Sequence, residues 1–196
     1  MWGENVRREA LAAKNDLIIG AGYGMIKRYA DSTKVRRTDG EGEMRMRIAM
    51  ASDHGGFALK QAVAAYLQER GHQVEDFGCH STESCDYPDF AGAAAKAVAS
   101  GACERGIVVC STGIGISIAA NKVSGIRCAL CGDLFSVEMT RRHNDANMLA
   151  LGAFLTPPPL AERIVDVFLN TEFEGGRHQR RVDKISALEA KDLSGN

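Results

Sequence analysis

The chain has 196 residues, of which 45% are hydrophobic and 25% charged, and its formal net charge at pH 7 is −1. This length suits one domain with an additional segment, and the hydrophobic content is sufficient for a packed core. A net charge near zero provides no global field to attract nucleic acid or an anionic membrane surface. No apolar run approaches the roughly 18 residues that a membrane span requires.

The first 46 residues differ in pattern from the rest of the chain, and their N-terminus has no signal-peptide core. The segment Asp16–Gly24 imitates a strand that enters a glycine-rich nucleotide loop. A dinucleotide site would need a complete strand–helix–strand unit, but the polar segment Arg36–Glu43 follows instead. We therefore expect residues 1–46 to be a poorly ordered extension or a translated leader. A nucleotide-binding role for Gly20–Gly24 is a weaker alternative.

From Arg47 onwards, apolar runs of strand length alternate with segments of helical periodicity. The predicted strands are 47–52, 73–77, 107–109, 126–131 and 147–151. The predicted helices are 57–70, 88–100, 116–120, 134–142, 160–169 and 182–189. This alternation predicts a doubly wound (Rossmann-like) α/β domain over residues 47–190, with a five-stranded parallel sheet and helices on both faces. Residues 191–196 are interpreted as a tail.

The segment Gly106–Lys122 is the most informative part of the sequence. An apolar run ends there in a glycine-containing turn, and a helix follows. The free backbone amides of such a turn face an anion, and their field favours the thiolate form of a cysteine placed among them. Cys110 occupies this position. The alternative is that Cys110 is a small buried hydrophobic residue, as most cysteines are, and the local sequence does not decide between the two.

Ligands of doubly wound sheets bind beyond the carboxyl ends of the strands. We expect polar residues from three parts of the chain to meet at this edge: Asp53–His54, Cys110–Thr112 and His143–Asp145. Each has a structural alternative, since Asp53 can simply cap the next helix and both histidines can be ordinary loop residues. The basic group Arg177, Arg180 and Arg181 can likewise be a solvated helix face.

The six cysteines lie mostly in apolar contexts, in a chain large enough to fold without disulfides. This usage predicts a reducing, cytoplasmic setting. Cys128 and Cys131 have the C-x-x-C spacing, but no second pair of cysteines or histidines follows at zinc-finger distance. The alternating pattern around them favours a strand over a zinc or redox site.

Five motifs occur in order along the chain: Ala51–Gly56, Asp86–Pro88, Cys110–Lys122, Arg142–Asp145 and Gly175–Arg181. With these motifs the chain resembles the type B ribose-5-phosphate isomerases, within the wider family that includes galactose-6-phosphate isomerase subunits. The resemblance covers roughly residues 47–189. It implies an aldose–ketose isomerase that interconverts ribose 5-phosphate and ribulose 5-phosphate without a metal or an organic cofactor. Such a reaction needs a base, a second proton carrier and stabilisation of an oxyanion.

The resemblance also implies roles for individual residues. Cys110 would move a proton between carbons 1 and 2 of the open sugar, His143 would open the sugar ring as a proton donor, and Thr112 would assist. Some members of the family use a glutamate base at the position of Ile116, so the isoleucine places this chain in the cysteine branch. The implied substrate-binding residues are Asp53, His54, Tyr87, Ser111, Gly113, Ile114, Gly115, Asn144, Arg177 and Arg181.

In relatives the site is shared across a dimer interface, which implies at least a homodimer here. Phe154 departs from the family, which usually has a phosphate-binding arginine at this position. Loss of one charge-assisted contact costs about 1.5–3 kcal/mol if nothing compensates for it. Two alternatives follow: an isomerase of a six-carbon or unphosphorylated sugar, and a non-catalytic sugar-phosphate-binding protein.

Overall fold

The computed structural model describes residues 45–193 of the chain. The predicted N-terminal extension therefore lies outside the described residues except for Arg45 and Met46. The glycine-rich segment Gly20–Gly24 and the last three residues of the predicted tail also lie outside them. The described residues belong to one compact unit.

Five strands and six helices alternate along residues 45–193. The strands are β1 (Arg47–Ser52), β2 (Gln73–Asp76), β3 (Arg105–Cys110), β4 (Cys128–Leu130) and β5 (Met148–Gly152). The helices are α1 (Phe57–Glu69), α2 (Tyr87–Ala99), α3 (Ile114–Ala120), α4 (Leu134–Asn144), α5 (Pro158–Asn170) and α6 (Gln179–Leu193).

All neighbouring strands pair in parallel, in the order β2-β1-β3-β5-β4. Helices cover both faces, so alternate residues of a strand enter different hydrophobic layers. Ile48 and Met50 pack with α1, α4 and α5, whereas Ala49 and Ala51 pack with α2 and α3. This double coverage explains why the central strands are continuous apolar runs. The predicted doubly wound α/β fold is confirmed.

Some element boundaries differ from the prediction. β4 spans Cys128–Leu130 rather than residues 126–131, and the amide of Arg127 donates to the Asn147 side chain instead of a neighbouring strand. The last helix is longer than predicted, at Gln179–Leu193, because the amides of Arg181 and Val182 already donate to the carbonyl of His178. In the described part of the chain, the helices are too short and too polar to cross a membrane.

Candidate active site

Cys110 is the last residue of β3, and only 4% of its surface is exposed. Gly113 follows in the left-handed conformation, at φ 76°, immediately before α3. This turn brings the Gly113 amide within 3.0 Å of the Cys110 sulfur, to which it donates a hydrogen bond. A side chain at position 113 has no room, since a Cβ would lie 2.9 Å from the backbone carbon of Leu151. The glycine turn and a backbone donor at the sulfur are both present.

Several of the predicted site residues surround this turn, and we call them the thiol cluster: Asp53, His54, Tyr87 and Cys110–Gly115. The backbone at Gly55 packs directly against the Ser111 hydroxyl. The Tyr87 ring packs over Gly115, where an added Cβ would lie 2.6 Å from its Cζ atom. The structure therefore brings the ends of β1 and β3 and the start of α2 together, as predicted for the carboxyl edge of the sheet.

Asp53 stabilises the turn before α1, although it does not itself cap the helix, whose N-cap residue is Gly56. Its Oδ1 atom accepts a hydrogen bond of 2.8 Å from the Gly56 amide, just before α1. This bond uses only one of the two carboxylate oxygens, so the contact stabilises the turn and is compatible with a second role in substrate binding.

A buried ion pair holds the loop beside His54. Lys60 of α1 is completely buried, and its ammonium group donates to Asp76 and to the carbonyl of Cys79, each at 2.6 Å. Further along this loop, the amide of Cys85 donates to Nδ1 of His54 at 3.2 Å. Burial of a charge is tolerated only with such complete pairing. The ion pair therefore fixes the start of a loop that contacts a predicted substrate-binding residue.

His143 does not lie beside Cys110 within one chain. It is the penultimate residue of α4, which returns from the carboxyl edge of the sheet to the start of β5. Met148 at that start pairs with Gly106, whereas Gly152 pairs with Cys110. These two levels are four residues apart, or about 13 Å at the rise of a parallel strand. The expectation that His143–Asp145 meets the thiol at one edge was wrong, because a connecting helix brings the chain back to the opposite edge.

The C-terminal arginine motif lies with His143 at the amino edge. We call this second group the histidine cluster: His143, Asn144, Glu174, Arg177, His178 and Arg181. The rings of His143 and His178 stack with their centroids 4.1 Å apart and their planes 2° apart. Gly175 and Gly176 have φ angles of 63° and 55°, a left-handed turn that folds the chain back onto α4.

Charged groups surround the two stacked rings. The Arg142 guanidinium, which donates a hydrogen bond to the carboxylate, holds the pKa of Glu174 below its usual value. Desolvation lowers the pKa of His178, and the nearby positive charges of His143, Arg177 and Arg181 lower it further. At neutral pH the cluster therefore contains an anionic Glu174 and an uncharged His178.

Glu174 was not among the site residues predicted from the sequence. Its position directly before the Gly175–Gly176 turn was the available signal, since a residue that precedes a fold-back lies close to the element onto which the chain folds. Its amide donates to the Arg142 carbonyl at 3.0 Å, and its carboxylate accepts from the guanidinium of the same residue at 2.6 Å.

His143, Glu174 and His178 offer three ligand atoms within 4.8 Å of one another, a spacing that suits a metal ion. However, Arg142 binds the carboxylate, and the Nε of Arg177 donates to Nε2 of His178 at 3.2 Å. A divalent cation would have to displace both guanidinium groups. The surplus of positive charge is better suited to an anion such as a phosphate.

The C-x-x-C pair has a core position. Cys128 and Cys131 are buried, and burial raises the pKa of their thiols to about 12 and about 11, respectively. Buried, protonated thiols are poor metal ligands and poor nucleophiles. The six cysteines of the chain are all free thiols.

Phe154 lies next to the thiol cluster, since its amide donates to the Ser111 carbonyl at 3.0 Å. Phe154 itself is 77% exposed. A side chain at this position can therefore reach a ligand bound beyond the end of β3.

Known proteins share this fold and sequence pattern. A family model described as Ribose/Galactose Isomerase matches residues 48–185. Ribose-5-phosphate isomerase B of Escherichia coli (strain K12) is 48% identical over 145 residues, which cover 74% of this chain and 97% of that protein. D-erythrulose-4-phosphate isomerase of Pectobacterium atrosepticum is 42% identical over 146 residues, which cover 74% of this chain and 96% of that protein.

The solved structure of Clostridium thermocellum ribose-5-phosphate isomerase B is 55% identical to this chain, with a TM-score of 0.74. The superposition covers 74% of this chain and 99% of that one. The match confirms the resemblance that the five sequence motifs indicated. The chain therefore belongs to the ribose/galactose isomerase family and is an enzyme of the isomerase class.

Proposed function

We propose that this enzyme interconverts ribose 5-phosphate and ribulose 5-phosphate through an enediolate intermediate. The observation that carries the proposal is the hydrogen bond from the Gly113 amide to the Cys110 sulfur, in the glycine turn beyond a central parallel strand. The names of the relatives from Escherichia coli and Clostridium thermocellum support the choice of substrate.

In the proposed reaction, Cys110 is the base. Its thiolate takes the proton from carbon 2 of the open-chain aldose and returns it to carbon 1. The hydroxyl proton on O2 moves to O1, assisted by the hydroxyl of Thr112. The amides of Ser111–Gly115 stabilise the negative charge that develops on oxygen. Arg177 and Arg181 bind the terminal phosphate, for which planar guanidinium groups are well suited.

His143 is the proposed ring-opening acid. Ring opening breaks the bond between carbon 1 and O4 of the furanose. His143 donates a proton to O4, while the hydroxyl on carbon 1 loses its proton to solvent and becomes the aldehyde oxygen. Asn144 forms a hydrogen bond with the substrate, and Asp53, His54 and Tyr87 line the other side of the sugar.

These roles require two copies of the chain, because Cys110 and His143 lie at opposite edges of one sheet. We propose a homodimer in which the thiol cluster of one copy faces the histidine cluster of the other. A two-fold axis would create two identical sites. The exposed isoleucines Ile114 and Ile118 on α3 support an interface beside the thiol cluster, since such side chains gain from being covered.

A second candidate is an isomerase of another sugar. Phe154 replaces a phosphate-binding arginine of the family, and the relative from Pectobacterium atrosepticum is named for a four-carbon substrate. The exposure of Phe154 leaves space for a ligand of different shape. This candidate keeps the same reaction and the same residues and changes only the substrate.

A substrate panel in deuterated water tests the proposal. Tetroses, pentoses and hexoses, each with and without phosphate, would be incubated with the enzyme, and the products analysed by NMR. We expect the highest kcat/KM for ribose 5-phosphate, with solvent deuterium incorporated at carbon 2 or carbon 1. Binding of sugar phosphates without isomerisation or exchange would contradict catalysis. A higher kcat/KM for another sugar would favour the second candidate.

We also propose that residues 47–190 form the complete catalytic domain, in a reducing, cytoplasmic location. A chain that starts at Met46 should retain the kcat and KM of the full chain. A large loss of activity in a folded, shortened protein would show that the N-terminal residues contribute to the site.

A further inference from the structure

We propose that Glu174 is a positioning residue that orients His143 for ring opening; this role rests on the proposed function. One carboxylate oxygen of Glu174, Oε2, lies 3.8 Å from Nε2 of His143 and 3.6 Å from Nε2 of His178. These distances are those of electrostatic contacts rather than hydrogen bonds. The carboxylate thus faces the same nitrogen of both stacked rings.

Glu174 is itself held firmly on the helix turn that carries His143. Its amide donates to the Arg142 carbonyl, and Oε1 accepts from Nε of Arg142 at 2.6 Å. Arg142 also donates to Glu138, one turn earlier in α4, at 2.9 Å. The carboxylate therefore keeps its place relative to the backbone of α4, and Oε2 remains directed at the imidazoles.

The two contacts restrict different motions of the His143 ring. The stack with the buried His178 fixes the plane of the ring. The anionic carboxylate attracts the Nε2 side of the ring. This attraction prevents a ring flip about the Cβ–Cγ bond, which would keep the same plane but exchange the positions of the nitrogen and carbon atoms. Nδ1 is then the nitrogen left to donate to the substrate. Defined orientation is required because a general acid acts only within hydrogen-bonding distance of the atom that it protonates.

The role predicts different losses for isomerisation and for proton exchange. Ribose 5-phosphate closes to a furanose through O4, so the enzyme must open it. Ribulose 5-phosphate cannot form that ring, since its carbonyl is at carbon 2 and the O5 that would close the ring carries the phosphate. Exchange of a carbon 1 proton of ribulose 5-phosphate with solvent therefore needs the base but no ring opening. This exchange should persist in a variant whose isomerisation of ribose 5-phosphate declines.

Glu174→Gln tests the proposal because it removes the charge and keeps the shape. We expect kcat for ribose 5-phosphate to fall roughly tenfold or more, since general acid catalysis contributes about 10²–10⁴. The KM for ribose 5-phosphate and the rate at which solvent deuterium enters carbon 1 of ribulose 5-phosphate should each change by less than about twofold on the same principle. The control is Glu172→Gln, an exposed carboxylate two residues earlier, which should leave both isomerisation and exchange unchanged.

Two results would overturn the positioning role: an equal loss of isomerisation and of proton exchange, which indicates general damage to the site, or no loss of either. A wild-type enzyme inactive on both sugars would instead contradict the proposed function. The orientation of His143 can then be measured directly by NMR of its imidazole nitrogens. The Glu174→Gln change must shift the Nε2 signal of His143, and an unchanged signal would overturn the proposal.

Discussion

The Gly113 amide donates a hydrogen bond to the Cys110 sulfur, so the backbone turn after β3 places a donor where a thiolate would carry its charge. We predict that Cys110→Ser lowers kcat by about 10²–10⁴, since a serine hydroxyl is a far weaker acid and is not ionised near neutral pH. Steady-state kinetics with ribose 5-phosphate measures the effect. Cys103→Ser, at a buried thiol before β3, is the control and should retain activity. Turnover close to that of the wild type in the Cys110 variant would remove this residue as the base.

The left-handed conformation of Gly113 leads to a prediction about stability. Gly113→Ala should lower the free energy of unfolding by about 1–3 kcal/mol from backbone strain, with an added cost from the clash. The clash arises because the new Cβ would lie 2.9 Å from the backbone carbon of Leu151 and 3.0 Å from the amide nitrogen of Gly152. Urea denaturation of the two proteins provides the measurement.

Gly101 is the matched control for this substitution. Its φ of 78° is nearly the same, but no heavy atom lies within 4 Å of an added Cβ. Gly101→Ala should therefore lower the free energy of unfolding by the cost of the backbone conformation alone, about 1 kcal/mol. Equal losses in the two variants would show that close packing around Gly113 is not important.

The sequence predicted the sheet well, because the central strands β1, β3 and β5 are buried on both faces and therefore appear as apolar runs. The turn after β3 was equally readable, since Gly113 lies between the strand and the helix. These features are local, and the residues that determine them are adjacent in the chain.

The predictions for the site were wrong or incomplete where the position of a residue depends on the direction in which the chain runs between elements. His143 was expected beside Cys110, but α4 reverses the chain and places His143 at the other edge of the sheet. Glu174 was missed because its contacts with Arg142 and His143 form only after the Gly175–Gly176 turn has folded back. Neither relationship is encoded in the spacing of residues along the chain.

Phe154→Arg tests whether residue 154 is a position from which a substrate phosphate can be bound. We expect the KM for ribose 5-phosphate to fall about tenfold, which corresponds to one charge-assisted hydrogen bond of about 1.5 kcal/mol. The KM for unphosphorylated ribose should not change. Leu155→Arg is the control. Leu155 is also exposed, at 70%, so this substitution adds the same charge one position further along the chain. An unchanged or higher KM in the Phe154 variant would show that an arginine at position 154 does not improve phosphate binding.

The raised pKa values of Cys128 and Cys131 predict their reactivity. A thiol whose pKa lies near 11 or 12 stays protonated as the pH rises to 8, and its thiolate fraction there is only about one in a thousand or less. Alkylation by iodoacetamide at pH 8, followed by mass spectrometry, should leave both residues unmodified in the folded enzyme. Rapid modification of either at pH 8, before unfolding, would contradict their burial and reopen a redox or metal-binding role.

The central claim is that Cys110 of one copy works with His143 of another, and a complementation experiment tests it most directly. Cys110→Ala and His143→Ala should each abolish isomerisation of ribose 5-phosphate. When the two variants are co-expressed in equal amounts, random pairing gives half heterodimers, each with one intact site, so about a quarter of the wild-type activity should return. If the dimers form and mix but no activity returns, the two residues do not meet across an interface, and the account is contradicted.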